Sequence, residues 1–328
     1  MRSSDPGCNS LSGQKVLVTG GAGFIGSHLC DRIVLENPAE LVVIDNLFLG
    51  RESNIEKARA ACRRLVFYKE SVADSVKLRG ILINHQPDVI FNLSVIPLPK
   101  SLELPGWSSD ENWKMTLNLC ECWREGIFRT LVHFSSSEVY GTALVVPMTE
   151  AHPLMPHTPY AASKAATDHL VFSYMTTFNL DAVALRPFNN YGPRQNKGGY
   201  AGLIPIVIDR VLKNEMIEIY GDGMQTRDFI FVEDTADAAV RAYQNRKAHG
   251  KLFNLCSGME TSVNTIVGKI LTITSSKVPV QHTEMRPGDL SRHCGDASLA
   301  RETLGFTPRC DLDLGLKRTV EWYRSQHG

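Results

Sequence analysis

The chain has 328 residues, 43% of them hydrophobic, and 35 Lys and Arg stand against 35 Asp and Glu. That apolar content sustains one large domain or two coupled ones and excludes disorder, while a formal net charge of zero excludes a global basic field that would draw the chain to nucleic acid or an anionic membrane. The polar stretch 1–13 lacks the apolar core of a secretory signal, and no run approaches the roughly 18 to 20 apolar residues of a membrane span. A cytoplasmic protein with a small ligand is expected. The eight cysteines are scattered with no CxxC pairing, so no metal site is expected, and Cys120 and Cys122 read as small packing residues of a helix at 114–124.

In chain order, a β-branched run at 15–19 precedes a glycine turn, an amphipathic stretch at 25–36 and a second apolar run at 41–45, which together form a βαβ unit. Further apolar segments at 64–68, 89–93, 130–135 and 181–186 are spaced by helix-length intervals. The expected fold class is α/β, a Rossmann-type doubly wound parallel sheet with a smaller C-terminal substrate-binding domain. Beyond about residue 190 the alternation loosens and Pro and Gly signals gather. The expected division is a flexible tail at 1–13, a dinucleotide-binding domain at 14–190 with a chain return around 226–256, and a mainly substrate-binding part at 191–328.

Between the first strand and helix stands Thr19-Gly20-Gly21-Ala22-Gly23-Phe24-Ile25-Gly26. Glycines at this G-x-x-G-x-x-G spacing allow a tight turn and close approach of the backbone to a pyrophosphate, which meets the free N–H groups and positive dipole end of the helix. Asp45 closes the next strand about twenty residues on, where a carboxylate holds a ribose hydroxyl and repels a 2′-phosphate, so NAD is expected over NADP. Arg51, nearby, is the residue that would favour NADP instead.

Tyr160-Ala161-Ala162-Ser163-Lys164 sets a phenol and an ammonium one helical turn apart on one face. The cation favours tyrosinate, and a tyrosine so tuned removes a proton from a sugar hydroxyl while hydride leaves the same carbon for a nicotinamide. Ser135-Ser136-Ser137 stands at the carboxyl end of an expected strand, where hydroxyls reach the same substrate oxygen.

TGGAGFIG, SSSEVYG, PYAASK, RPFNNYGPRQ and GDGMQTRDF, in that order, resemble the nucleotide-sugar epimerases and dehydratases of the extended short-chain dehydrogenase/reductase family, and the resemblance runs from Gln14 onward. It implies that Tyr160 is the base, that Lys164 holds the nicotinamide ribose and tunes Tyr160, and that Ser136 is the hydroxyl partner of the reacting oxygen. NAD would lie along Gly20, Gly23, Phe24, Ile25, Gly26, Asp45, Asn46, Val72, Leu93, Ser94, Tyr160, Lys164 and Pro187. Ser136-Ser137-Glu138 falls where 4,6-dehydratases carry Thr-Asp-Glu or Thr-Ser-Glu, so Glu138 is the candidate base at C5 in a route of C4 oxidation, C5 deprotonation, water loss and hydride return to C6. With Ser137 in place of aspartate, the proton for the leaving hydroxyl falls to Glu138 itself or to a water.

Other features point elsewhere within the family. The Thr-Ser-Glu form also occurs in UDP-glucuronate decarboxylase, and the stretch 195–205 resembles the substrate loop of 4-epimerases, which leaves 4-epimerase as the first alternative. A nucleotide-sugar partner is implied, a UDP-sugar ahead of a GDP- or dTDP-sugar, with Lys100, Asn189, Arg194, Leu203, Tyr220, Arg227 and Arg286 as candidate contacts, the arginines suiting a diphosphate. Two departures stand out: Val95, Ile96 and Pro97 replace polar residues, which implies an apolar or narrow sugar pocket on that side, and Ser71 replaces an aspartate ahead of Val72. Family members are commonly dimers through helices at about 112–124 and 160–177, so a homodimer is expected. A dinucleotide-sensing regulator would need neither the Tyr/Lys pair nor the serine strand end, and a steroid or dihydroflavonol reductase would not need Arg227 with Arg286.

Overall fold

The structure, a computed structural model, describes residues 9–197, 202–284 and 291–326. Its first half runs β1 (Lys15–Thr19), α1 (Phe24–Val34), β2 (Glu40–Ile44), α2 (Glu56–Ala61), β3 (Leu65–Tyr68), α3 (Ser75–His85), β4 (Val89–Asn92), α4 (Leu98–Glu103), α5 (Pro105–Arg124), β5 (Thr130–Phe134), α6 (Pro159–Phe178) and β6 (Asp181–Pro187). There follow β7 (Asn189–Tyr191), α7 (Leu203–Leu212), β8 (Ile217–Tyr220), β9 (Thr226–Phe231), α8 (Val232–Gln244), β10 (Leu252–Leu255), β11 (Glu260–Ser262), α9 (Val263–Thr274), β12 (Val280–Thr283), α10 (Ser298–Leu304) and α11 (Leu312–Ser325).

Seven strands form one sheet in the order β10-β6-β5-β4-β1-β2-β3, and every adjacent pair is parallel. Parallel strands are covered on both faces, which is why β2, β4 and β5 are mainly apolar and buried at every residue. Alternate side chains feed two cores. Val16, Val18, Val89 and Phe91 join Leu29 and Ile33 of α1 and Val240 of α8, while Leu17 and Ile90 join Leu82 of α3 and Leu119 and Trp123 of α5. The order reverses between β1 and β4, and at such a switch point a crevice opens beyond the strand ends.

Two smaller sheets, β11-β9-β7 and β12-β8, pack with α7, α9 and α11 around a core containing Tyr191, Ile208, Phe231, Ile266 and Leu316. This changes two expectations. The chain return expected around 226–256 does not begin with β9, which pairs with β7 and β11 and not with the main sheet; the chain returns with α8, which packs on α1, and with β10 beside β6. Residues 9–13, assigned to a flexible tail, are held on the body: Leu11 is fully buried and the Asn9 amide donates to the Gln244 carbonyl at 2.7 Å. Residues 1–8 lie outside the described part. Cys120 and Cys122 are buried in α5, and no helix among the described residues is long and apolar enough to cross a membrane.

Candidate active site

A cleft of about 320 Å³ opens at the switch point. The turn after β1 supplies its floor. Gly20 has φ +68°, and a Cβ there would come within 2.9 Å of the Leu93 backbone; a Cβ on Gly26 would meet the Gly20 carbonyl oxygen at 2.2 Å. Only glycine lets this loop fold against β4 and the first turn of α1. Gly23 is the N-cap of α1 and no side chain caps the helix, so its first N–H groups are left for an anion. Asp45 ties loop and strand together, accepting from the Ala22 amide at 3.0 Å and the Leu47 amide at 2.8 Å. Burial raises its carboxyl above the ordinary aspartate value while these amides oppose the rise.

Every residue assigned to the dinucleotide lines this one cleft: Gly20, Gly23, Phe24, Ile25, Gly26, Asp45, Asn46, Val72, Leu93, Ser94, Tyr160, Lys164 and Pro187. Phe48, Leu49 and Met115 also line it and carried no sequence signal, and Phe188, Asn190 and Gln195 line it from within the RPFNNYGPRQ motif without having been assigned to the dinucleotide. The glycine cradle, the uncapped helix end and the carboxylate at the end of β2 fit a dinucleotide without rearrangement.

The chemical groups meet where β5 and α6 converge. Thr158 caps α6, accepting from the Ala161 amide at 3.2 Å, and Pro159 occupies the first turn, so Tyr160 and Lys164 leave the helix on successive turns toward the end of β5. The Ser136 hydroxyl accepts from the Glu138 amide at 3.2 Å and hydrogen-bonds the Tyr160 phenol. Burial pushes Tyr160 up to about 12; the bond to Ser136 opposes it, and the carboxylates of Glu138 and Asp168 add to it. Lys164 is also buried, which lowers its ammonium to about 8 against the pull of Asp168, and it donates to the Phe134 carbonyl. Of the groups acting on Tyr160 in this arrangement Ser136 favours tyrosinate, while the Lys164 ammonium is turned to the Phe134 carbonyl.

Beneath the site a polar chain crosses the sheet. The Thr19 hydroxyl donates to Asn92 Oδ1 at 2.9 Å, and Asn92 Nδ2 lies 3.2 Å from His133 Nδ1. His133 Nε2 stands 3.6 Å from Asp168 Oδ1. Asp168 Oδ2 accepts from Ser135 Oγ at 2.8 Å and from Arg186 at 2.9 and 3.0 Å. Asp168 lies one turn beyond Lys164, so the i, i+4 spacing that singles out Lys164 from Tyr160 applies to it equally. Asn112 is a second residue without a motif; it clamps Ile96 (amide to Oδ1, 2.7 Å) and donates to Ser163 Oγ at 3.0 Å, binding the 92–97 segment to α6. Val95 and Ile96 face the cleft and give it the apolar wall their composition implied.

The other proposed residues are dispersed. Ser137 is buried and Glu138 half-buried on the short helical turn Ser137–Tyr140, and neither lines the cleft. Asn189, on β7, keeps its Nδ2 buried without a hydrogen-bond partner among the described residues. Arg194, with φ +66°, is neither solvated nor in the cleft: it pairs with Asp31 of α1 at 2.7 Å. Lys100 pairs with Glu103 at 2.6 Å, Leu203 begins α7, Arg227 donates to the Thr226 carbonyl at 2.9 Å, and Tyr220 lines a separate cleft against α7. Arg286 lies outside the described residues.

A family model described as GDP-mannose 4,6 dehydratase matches residues 17–319. Over 314 residues the chain is 36% identical to a UDP-glucose 4-epimerase of Mycolicibacterium smegmatis, covering 95% of this chain and 99% of that one. The chain belongs to the extended short-chain dehydrogenase/reductase family. Among its solved members, the UDP-glucose 4-epimerase of Thermotoga maritima with UDP-glucose is similar at TM-score 0.90 and 31% identity, covering 96% of this chain and all of that one. A dTDP-glucose 4,6-dehydratase of Streptomyces venezuelae with NAD bound follows at TM-score 0.87 and 30% identity, covering 96% and 98%. NAD is the cofactor of this family, and the cleft described above carries the features that hold it.

Proposed function

We propose that the chain is an NAD-dependent nucleotide-sugar 4,6-dehydratase acting through a 4-keto sugar, on a UDP-sugar ahead of a dTDP- or GDP-sugar. The observation that carries this reading is Glu138: it sits on the turn that Ser136 caps, close enough for its carboxylate to act on Tyr160. NAD, held by the glycine turn, Asp45 and Lys164 in the cleft, would supply the hydride acceptor for C4 and the hydride donor for C6. Tyr160 takes the proton of the C4 hydroxyl, Ser136 holds the same oxygen, and Lys164 leaves the Phe134 carbonyl to hold the ribose and supply the positive charge that a buried tyrosinate needs. Glu138 takes the C5 proton and, in place of the missing aspartate, passes a proton to the C6 hydroxyl as it departs as water; once hydride is back on C6 the enolate takes a proton at C5 from solvent, and Tyr160 releases the C4 hydroxyl's proton to solvent. Asn189 and Arg227 are the substrate contacts of this reading, with Arg286 beyond the described residues.

The test incubates the purified enzyme with UDP-glucose, UDP-GlcNAc, UDP-glucuronate, GDP-mannose and dTDP-glucose and follows products by mass spectrometry and proton NMR. A product lighter by one water is expected, with Glu138→Gln slowing its formation by on the order of 100-fold or more. Undiminished dehydration by that variant sinks the assignment. The second reading, 4-epimerase, draws support from the M. smegmatis relative and from the absence of Glu138 from the cleft wall; an unchanged mass with an inverted C4 proton would establish it. The paired helices α5 and α6 carry the half-exposed Trp113 and Phe178 and are the proposed homodimer face, which a monomer by light scattering would overturn.

A further inference from the structure

His293 belongs to no motif of the sequence and lies far from Ser137 along the chain, yet it touches the turn that carries Glu138. Its ring is fully buried, 5.0 Å from the ring of Phe188, and its Nε2 lies 3.2 Å from the Ser137 carbonyl oxygen. A carbonyl only accepts, so Nε2 carries the hydrogen and Nδ1 carries a lone pair. That lone pair is buried without a hydrogen-bond partner among the described residues. Burial, Arg227 and His152 all hold the imidazole down, to about 4, against the pull of the Ser137 carbonyl, so it is neutral at physiological pH.

The backbone beside the ring is fixed by other means. Gly295 donates its amide to Asp228 at 3.3 Å, the Cys294 carbonyl accepts from Met148 at 2.9 Å and Asp296 donates to the Met148 carbonyl at 2.8 Å. Tilted packing against Phe188 and filling this space ask only for an aromatic ring; phenylalanine would do both and would bury no orphaned lone pair. The one thing the imidazole adds is its N–H bond to the turn.

We infer that His293 is a positioning residue of the chemical step, its Nε2–H fixing the Ser137 carbonyl and through it the backbone from which Glu138 reaches C5; the inference rests on the proposed role of Glu138. It predicts a split between two steps of one reaction. C4 oxidation depends on Tyr160, Lys164 and Ser136, which touches the Ser137–Glu138 peptide only through the Glu138 amide, whereas proton transfer at C5 depends on where that peptide places Glu138.

The experiment compares wild type, His293→Phe and His293→Gln with UDP-glucose and dTDP-glucose in deuterium oxide. C4 oxidation is read from the near-ultraviolet absorbance of the reduced cofactor and C5 proton transfer from deuterium incorporation by NMR. Phe is expected to slow C5 exchange on the order of 10- to 100-fold while C4 oxidation changes by no more than about twofold, and Gln, whose amide nitrogen matches the reach of Nε2, is expected to recover most of the loss. Equal loss of both steps in the Phe variant would make His293 merely structural, and C5 exchange at the wild-type rate would leave it no role; either overturns the inference while Glu138 stands. Wild-type enzyme that inverts C4 without exchanging C5 overturns the dehydratase reading and this inference together.

Discussion

The two walls of the site are built in opposite ways. Under the cofactor side, the chain from Thr19 through Asn92, His133 and Asp168 to Arg186 is linked by side-chain partners except at one 3.6 Å gap, where His133 Nε2 and Asp168 Oδ1 are buried without a hydrogen-bond partner among the described residues. Across the cleft, the lining residues Asn190 and Gln195 hold buried oxygens, Oδ1 and Oε1, with no hydrogen-bond partner among the described residues, and the same holds for Asn189 Nδ2 and Arg194 Nη1 beside them in the chain, outside the cleft lining. Buried polar groups are almost always paired. A wall that is paired before any ligand arrives is a fixed platform, and one that is not has been left for a ligand to complete. The cofactor side is thereby preorganised, and substrate binding is where the free protein still has hydrogen bonds to gain.

The platform is broken most severely at its chemical end. Tyr160→Phe keeps the ring and removes only the proton acceptor, so turnover of the accepted nucleotide sugar is expected to fall about 1000-fold with the fold intact by circular dichroism; a fall of less than tenfold would move the base elsewhere. Arg186→Met attacks the same wall as structure. It leaves the Asp168 carboxylate, 1% exposed, without its cation, and such an uncompensated charge costs about 3–5 kcal/mol, to be read from urea unfolding. A loss below about 1 kcal/mol would mean that Ser135 and His133 alone satisfy Asp168.

This contrast also explains what could be read in advance. β2, β4 and β5 are legible because a strand covered on both faces must be a continuous apolar run, and the dinucleotide residues are legible because the glycine turn, the strand end and the helix start fix one another within a few residues. Asp168, Arg186 and His133 were invisible as a group, since nothing in the local pattern says that a helix residue meets the ends of two strands. Arg194 was misjudged for a related reason: its partner Asp31 is on α1, far away in the chain. Ser136, Tyr160 and Lys164 were marked by spacing, but the direction of the Lys164 ammonium, toward the Phe134 carbonyl, is a property of packing.

Acid should destabilise the fold in part through the open wall. His28 of α1 is buried with Nε2 2.9 Å from the Pro193 carbonyl, and burial, with Arg194 acting in the same direction, lowers it to about 4. In the unfolded chain histidine takes its proton near 6.5, so between those values the unfolded state binds more protons and stability falls as pH is lowered from about 6.5 toward 4. The loss is on the order of 3 kcal/mol when complete. Denaturant midpoints measured across that range should fall for the wild type and fall less for His28→Gln; parallel profiles would show that His28 does not titrate with folding.

The smallest expected effect tests the unpaired wall most directly. Asn189→Ala removes a buried amide whose Nδ2 has no hydrogen-bond partner among the described residues, so the free protein loses no hydrogen bond made by that nitrogen and its stability should change by no more than about 0.5 kcal/mol. A nucleotide sugar that pairs with the amide gains a bond worth about 0.5–1.5 kcal/mol, and the variant should bind about 2- to 12-fold more weakly. Calorimetric titration with UDP-glucose, alongside urea unfolding of the free proteins, separates the two quantities. If stability drops while affinity holds, the amide is structural and the wall is closed in a way its hydrogen bonds do not reveal. If affinity drops while stability holds, the unpaired nitrogen is a binding group, and the protein has kept a buried donor unsatisfied in its resting state so that a ligand oxygen can satisfy it.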